Sequence, residues 1–239
     1  YAGFQNGDFE SSAGWEIRSN PVLAAYLTTP VHGGSRSMRT GIPSGGANVT
    51  SYSPIQQEID FPAGLASAQL RFWRYSVWGD GALRGASLPG LADMPQHISD
   101  LPDAVFATDF FYAIAILEDG TIDWLFTERV DNPTWRAQTI TVDVSRYAGR
   151  SVRFQFGTYN NGTEGISRTF VDDAELSLCP PTGALLLPNG GWADRIISQP
   201  MLNTLYATAG DNLYRSDDSG ANWRLVGPAR PEHTLLSAD

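Results

Sequence analysis

One cysteine, Cys179, is present in 239 residues, with three histidines and three methionines. A lone cysteine cannot close an intrachain disulfide, so no cystine framework supports the fold and none can argue for an extracellular address. Cys179 stands beside Pro180 in no context that would activate a thiol. His32, His97 and His233 are scattered, and an isolated histidine is more often a turn or surface residue than a ligand. Neither H-E-x-x-H nor G-x-S-x-G occurs, which removes the hydrolases those motifs mark. Among 26 acidic residues a carboxylate pair can always be named, so Glu118, Asp123 and Glu128 cannot be singled out as glycosidase acids. Positive charge is also short: 16 basic against 26 acidic residues give a net charge of −10, which opposes the phosphate neutralisation that nucleic-acid binding needs. No stretch approaches the run of about 18 apolar residues that spans a membrane. The start at Tyr1 without Met leads us to expect a signal peptide or other upstream region in the parent protein.

The residues present describe an all-β chain with enough apolar matter for a real core, 42% hydrophobic and 11% aromatic. Short alternating segments recur between turn signals. Strands are predicted at Ala24–Thr28, Ile55–Phe61, Leu70–Trp78, Asp109–Leu117, Ile122–Arg129, Thr134–Val142, Ser151–Thr158 and Phe170–Leu178. Glu118 to Thr121 reads as an Asp-Gly hairpin turn. In Ser151–Thr158, Val152, Phe154 and Phe156 face one way and Arg153 and Gln155 the other. In Leu70–Trp78, Arg71, Trp73, Tyr75 and Val77 form a second, partly aromatic face. Residues 79–108 break every period; such a long loop serves either as a rim or lid beside a binding face or as a packed surface excursion.

Two ends of the chain carry a recognisable set of motifs. They are Asn6-Gly7-Asp8-Phe9-Glu10 with Gly14-Trp15, His32-Gly33-Gly34-Ser35-Arg36-Ser37-Met38, Asp143-Val144-Ser145 with Tyr147-Ala148-Gly149, and Val171-Asp172-Asp173-Ala174-Glu175-Leu176. Together they resemble the galactose-binding-like jelly rolls, the β-sandwich of many carbohydrate-binding modules, over about residues 4–179. The resemblance implies an opening strand at Asn6–Glu10 and a structural calcium shared between the first and last strands. Carried over by position, it implies Glu10 and Asp173 as side-chain ligands and Gly33 and Ser35 as carbonyl ligands, with Asp8 and Asp172 less secure. Alternation puts Asp172 on the core-facing parity, so one of the acid pair must turn aside. The bland alternative is that these acids cap turns or pair with Arg36 and Arg39.

A jelly-roll β-sandwich over residues 1–179 is thus expected, then a linker at 180–190, rich in Pro and Gly, and a small antiparallel β unit at 191–239. Ser216-Asp217-Asp218-Ser219-Gly220-Ala221-Asn222-Trp223 fits S-x-D-x-G-x-x-W and resembles the Asp-box (BNR repeat) of sialidases and other β-propellers. That motif is a structural hairpin and carries no catalysis. Residues 191–239 amount to about one blade of ~40–45 residues. One blade must pack on further blades, on another chain or on the sandwich, and we expect the chain to be part of a larger secreted protein.

Trp73, Tyr75, Trp78, Trp124, Trp135 and Tyr159 are candidates for stacking on sugar rings, and Arg71, Arg74, Gln138 and Gln155 for polar contacts, although most sandwich aromatics belong to the core. Leu70–Trp78, Asp109–Leu117 and Ser151–Thr158 are expected in one sheet, with Trp73 and Tyr75 as the outward platform, Arg71 adjacent, and Trp78 and His97 walling the groove. The leading expectation is a non-catalytic, calcium-stabilised carbohydrate-binding module at the cell surface or outside the cell, with a polysaccharide or glycan as partner. A structural or adhesion spacer of the same fold, and the N-terminal part of a sialidase-like propeller enzyme, are the alternatives.

Overall fold

The computed structural model describes residues 3–18, 20–79, 94–97, 100, 103–163, 165–179, 195–199, 204–209, 211–218 and 222–228. Contacts divide the chain into a larger unit, Ala2–Phe61 with Ala68–Leu178, and a smaller one of Cys179–Asp239 with Pro62–Ser67 and Tyr1.

In chain order the larger unit contributes β1 (Glu16–Ile17), β2 (Ala25–Leu27), β3 (Ser37–Gly41), β4 (Thr50–Ser51), β5 (Ile55–Asp60), β6 (Ser67–Val77), β7 (Phe110–Leu117), β8 (Ile122–Glu128), β9 (Asn132–Val142), the short helix α1 (Val144–Tyr147), β10 (Ser151–Asn161) and β11 (Arg168–Cys179). The first sheet runs β1-β5-β10-β7-β8, with β4 on the far end of β10, and the second β2-β3-β11-β6-β9. Strands adjacent in the sheets are often distant in sequence, the crossover pattern of a jelly roll.

The inner faces of the two sheets make the core. Phe72 of β6 meets Phe156 of β10, Phe111 of β7 and Phe126 of β8 at ring separations of 5.0, 6.1 and 5.9 Å. Leu70, Phe72, Phe111, Phe154 and Phe156 are buried there. Polar inner residues pair across the gap: Thr40 and Thr158 hydroxyls lie 2.7 Å apart. The Asp-Gly turn joins β7 to β8, with Gly120 at φ 83° and Asp119 Oδ1 accepting from Thr121 N at 2.9 Å. Asp143 caps α1 by accepting from Ser145 N at 3.0 Å. That cap sets Tyr147 so that its hydroxyl donates to Asp123 Oδ2 at 2.8 Å.

Two local departures from alternation decide which residues face where. In β8, Ile114 pairs with Trp124 but Ala113 with Phe126, so Leu125 is an extra residue. Trp124 therefore faces outward with Ile114 while Phe126 and Glu128 face the core with Ala113 and Phe111. In β11, Asp173 has φ 44°. Thr169 and Val171 precede it as buried odd positions and Ala174, Leu176 and Leu178 follow as buried even ones. Asp173 is thus the member of the acid pair that turns aside.

Two expectations are corrected. The opening strand is absent: Gln5–Asp8 is a turn with Asn6 at φ 52° and Phe9 at φ 56°. The Asn6 side chain explains it, because its amide donates to Ser11 O at 3.0 Å and Ala13 O at 2.9 Å while its Oδ1 accepts from Ser11 N at 2.9 Å, closing a loop on itself. The segment still lies against the last strand, where Ala174 N donates to Gly7 O at 2.8 Å. Secondly, β6 does not share a sheet with β7 and β10 but belongs to the opposite layer. Alternation gives each strand two faces without saying which strands are neighbours.

In the smaller unit β12 (Arg195–Gln199), β13 (Thr204–Ala209), β14 (Asn212–Ser216) and β15 (Arg224–Pro228) form one antiparallel sheet in that order. After β14, Asp218 gathers the chain: its Oδ1 accepts from Ser216 Oγ at 2.7 Å and Asn222 N at 2.8 Å, and its Oδ2 from Asn222 Nδ2 at 2.6 Å. Trp223 packs against buried Ala207 and Tyr214. The 180–190 linker and positions 219–221 of the motif lie outside the described residues.

Candidate functional site

The outer face of the first sheet carries a groove of about 350 Å³. Its polar floor belongs to one cross-strand row, whose Glu16 end lies outside the groove. Glu16 pairs with Gln56, Gln56 with Gln155, Gln155 with Ile114 and Ile114 with Trp124, so five strands each contribute one residue at the same level. Hydrogen bonds run along it. Tyr112 Oη donates to Gln155 Oε1 at 3.2 Å, Gln155 Nε2 to Gln56 Oε1 at 3.1 Å and Gln56 Nε2 to Glu16 Oε2 at 2.6 Å. Arg18 Nη1 completes it, donating to Glu16 Oε1 at 2.8 Å. The Arg18 and Gln56 donors hold the Glu16 carboxyl below the usual range.

Aromatic rings form the other side. Tyr52, Phe106 and Trp124 are half-buried, and Tyr112 and Phe110 are buried beneath them. Burial pushes the Tyr52 hydroxyl up and the Tyr112 hydroxyl well above its ordinary range, so both stay neutral donors. Tyr112 can lie across β10 because its neighbour there is Gly157, where a Cβ would sit 2.3 Å from Tyr112 Oη. Trp124 is fixed by Nε1 donating to Pro95 O at 2.9 Å. That carbonyl belongs to the long loop after β6, whose described part packs on this face: Met94 and Val105 are buried with Phe110, Ile114 and Tyr159, and Ile122 N donates to Gln96 O at 2.7 Å. The described part of the loop therefore walls the first sheet. His97 is exposed and does not line the groove.

The expected ligand residues divide between two faces. Trp124 lines this groove. Tyr159 lies beneath it, 4% exposed, with its ring 5.0 Å from Tyr52 and 5.2 Å from Phe106 and Phe110. Trp78 packs at the margin of the same cluster. Arg71, Trp73 and Tyr75 stand on the outer face of the second sheet instead. There the His32 ring stacks on Trp73 at 3.7 Å and 18°, and Tyr75 packs on Trp135 at 5.7 Å and Phe170 at 5.9 Å. Arg74 is buried on the inner face. Tyr52, Phe106, Tyr112, Gln56 and Arg18 were not among the residues expected from sequence. β7 is apolar throughout, so no alternation marks Tyr112 as outward, whereas the outward parity of Gln155 was legible.

The residues implied for a metal meet at the Gly33–Ser35 turn. Glu10 Oε1 accepts from Ser35 N at 2.8 Å and Arg36 N at 2.9 Å, and its Oε2 from Ser35 Oγ at 2.6 Å. Asp173 Oδ2 lies 2.6 Å from His32 Nδ1. A Cβ on Gly33 would lie 2.9 Å from Asp173 Oδ2, and one on Gly34 2.3 Å from Glu10 Oε1, so both carboxylates press on one turn. Asp172 is buried and spends its oxygens on backbone donors, His32 N at 2.8 Å, Asp173 N at 2.9 Å and Gly33 N at 3.3 Å. Burial pushes its carboxyl up to about 6 against those bonds. Asp8 Oδ1 is 3.5 Å from Glu10 N. Among the described residues no three His, Cys, Asp or Glu side chains gather as metal ligands. Carboxylate and carbonyl oxygens are the donor type a hard cation takes.

No family model and no curated protein matches this chain. Among solved structures it is similar to TmCBM61 in complex with β-1,4-galactotriose, at 12% identity over 74% of this chain and 99% of that one, TM-score 0.45. A family 16 carbohydrate-binding module is similar at 12% identity over 73% and 98%, TM-score 0.45. The C-terminal family 22 carbohydrate-binding module of Clostridium thermocellum Xyn10B is similar at 14% identity over 75% and 94%, TM-score 0.44. These solved structures to which the chain is similar are carbohydrate-binding modules.

Proposed function

We propose that the chain is a non-catalytic carbohydrate-binding module of a larger secreted or cell-surface protein, and that it takes a glycan in the groove of the first sheet. The observation that carries this reading is the division of the groove into half-exposed rings, Tyr52, Phe106 and Trp124, and a hydrogen-bonded amide row, Gln56 and Gln155. A pyranose has an apolar C–H face and a rim of hydroxyls, and each finds its counterpart here. Every Gln amide retains a donor or acceptor beyond the bonds it already makes. Calcium at the Gly33–Ser35 turn, with Glu10 and Asp173 as carboxylate ligands and Gly33 and Ser35 carbonyls beside them, belongs to the proposal as a structural ion. So does reading the four-stranded unit as one propeller-type blade that packs with further blades or another chain, supported by the bonds that Asp218 makes.

Glycan-array binding tests the proposal with two pairs of variants. Trp124→Ala and Tyr52→Ala should abolish retention, while Trp73→Ala and Tyr75→Ala on the opposite face should leave it intact. The reverse result would move the site to the second sheet. No retained glycan at all would leave a structural spacer, a reading favoured on that second face by His32 covering Trp73.

A further inference from the structure

We infer that the groove selects an acidic glycan, one whose pyranose carries a carboxylate or sulfate group; this inference rests on the groove being the glycan site. The protein as a whole is acidic, with a net charge of −10, yet Arg18 and Arg153 line the groove, and among the described residues no Asp or Glu does, Glu16 standing just outside it at the end of the row. Arg18 is paired with Glu16 and Arg153 lies beside Glu58, and each of these acids is also bound by a second donor. Glu16 accepts from Arg18 and from Gln56, and Glu58 accepts from Ser151 Oγ at 3.0 Å.

Arg153 is the sharper of the two. It stands on β10 two residues from Gln155, on the same outward face, and its neighbours in register are Ile116 and Glu58. Its Nη2 comes no closer than 3.6 Å to Glu58 Oε2, and among the described residues its guanidinium makes no hydrogen bond. A strand rises about 3.3 Å per residue, so a sugar ring bonded to Gln155 brings a ring substituent within reach of Arg153, about 6.6 Å along the strand. The planar fork of donors matches a carboxylate or sulfate edge, and a neutral hydroxyl would leave most of it unused. All 16 basic residues of the chain are arginine, so no lysine offers a competing point charge. The net charge of −10 opposes non-specific binding of anionic polymers.

The test is isothermal titration of the intact chain with three oligosaccharides of equal length: a galacturonate, a neutral galactoside and a sulfated galactoside. The expected result is about 10-fold or greater preference for an anionic ligand at low salt, shrinking as salt screens half-exposed charges. Comparison of the two anionic arms identifies which group is read. Arg153→Gln should remove the preference, bringing the ratio of acidic to neutral affinity down to about one. Equal wild-type affinity for all three would overturn the inference while the groove assignment stands, and the wild-type salt series needs no variant to fold. An Arg153→Gln protein that loses neutral and acidic ligands alike would also overturn it. Failure of every ligand to bind would remove the groove assignment, and the charge selectivity with it.

Discussion

Arg74 of β6 and Glu128 of β8 join the two sheets from inside the sandwich: Arg74 Nε and Nη2 each donate to a Glu128 carboxylate oxygen at 3.0 Å. Both side chains are 7% exposed. Ser76 Oγ donates to the same carboxylate at 3.2 Å, Arg136 Nη2 lies 2.9 Å from it, and the Arg74 guanidinium sits 4.6 Å over the Phe126 ring. Both carboxylate oxygens and the Arg74 nitrogens are hydrogen-bonded, the condition under which a buried ion pair is tolerated, whereas Arg136 Nε and Nη2 are buried without a hydrogen bond.

Breaking this pair one-sidedly should be costly. Glu128→Ala leaves the Arg74 charge buried without its partner and is expected to destabilise the chain by about 3–5 kcal/mol. The double change Arg74→Met with Glu128→Leu should cost less than Glu128→Leu alone, since the buried Arg74 charge goes with its partner and only Arg136, 29% exposed, is left without the carboxylate. Urea unfolding of Glu128→Ala, Arg74→Met, Glu128→Leu and the double variant checks this, and additive costs would show that the two residues do not act as a unit.

Gly157 keeps space for the groove floor. Gly157→Ala would set a Cβ 2.3 Å from Tyr112 Oη and 2.4 Å from its Cζ, and Tyr112 is too buried to swing aside freely. The expected cost is about 1–3 kcal/mol of overpacking. Glycan affinity should fall as well, because the shifted Tyr112 no longer orients Gln155. Thermal melts alongside titration separate the two effects.

The Asp218 carboxyl is held at about 2, below its ordinary 3.8, chiefly by the Asn222 N–H, then by the Asn222 amide group and the Ser216 hydroxyl. A depressed folded value means that its stabilisation is fully present above the unfolded value and is lost as pH falls through about 2. The Asn222 amide resonance, followed by NMR from about pH 5 to about pH 1, should titrate with that low midpoint. A midpoint near 3.8 would mean that the turn does not hold the carboxylate in solution.

Calcium should raise the melting temperature and EDTA lower it. At free calcium about 100 times its Kd the gain is about 2.7 kcal/mol. Glu10→Gln and Asp173→Asn should each abolish the difference between the two conditions. An unchanged midpoint in the wild type would remove the ion from the proposal and leave the two carboxylates as caps of the Gly33–Ser35 turn.

Strand positions were largely legible in the sequence, because alternation and turn residues are local properties. The outward parity of Arg153 and Gln155 came from the same signal. Which strands pair is a long-range matter, so β6 was expected beside β7 and β10 although it lies in the other layer. Bulges also escape a period-two reading: one extra residue at Leu125 puts Trp124 and Glu128, both even-numbered, on opposite faces. The Asp172–Asp173 conflict was visible as a clash of parity, and the positive φ of Asp173 resolves it. His32 covering Trp73 had no sequence signal, since a loop residue about 40 positions away supplies the cover.

With a glycan seated in the groove as proposed, the cross-strand row from Glu16 to Trp124 would make its binding a late reporter of folding. Its residues come from β1, β5, β10, β7 and β8, and Gln155 meets Gln56 only when segments 99 residues apart have paired. Closing such distant loops is slow compared with forming local hairpins such as β7-β8. During refolding, circular dichroism should therefore recover before glycan binding, and the lag between them measures the time needed to assemble the sheet rather than its strands.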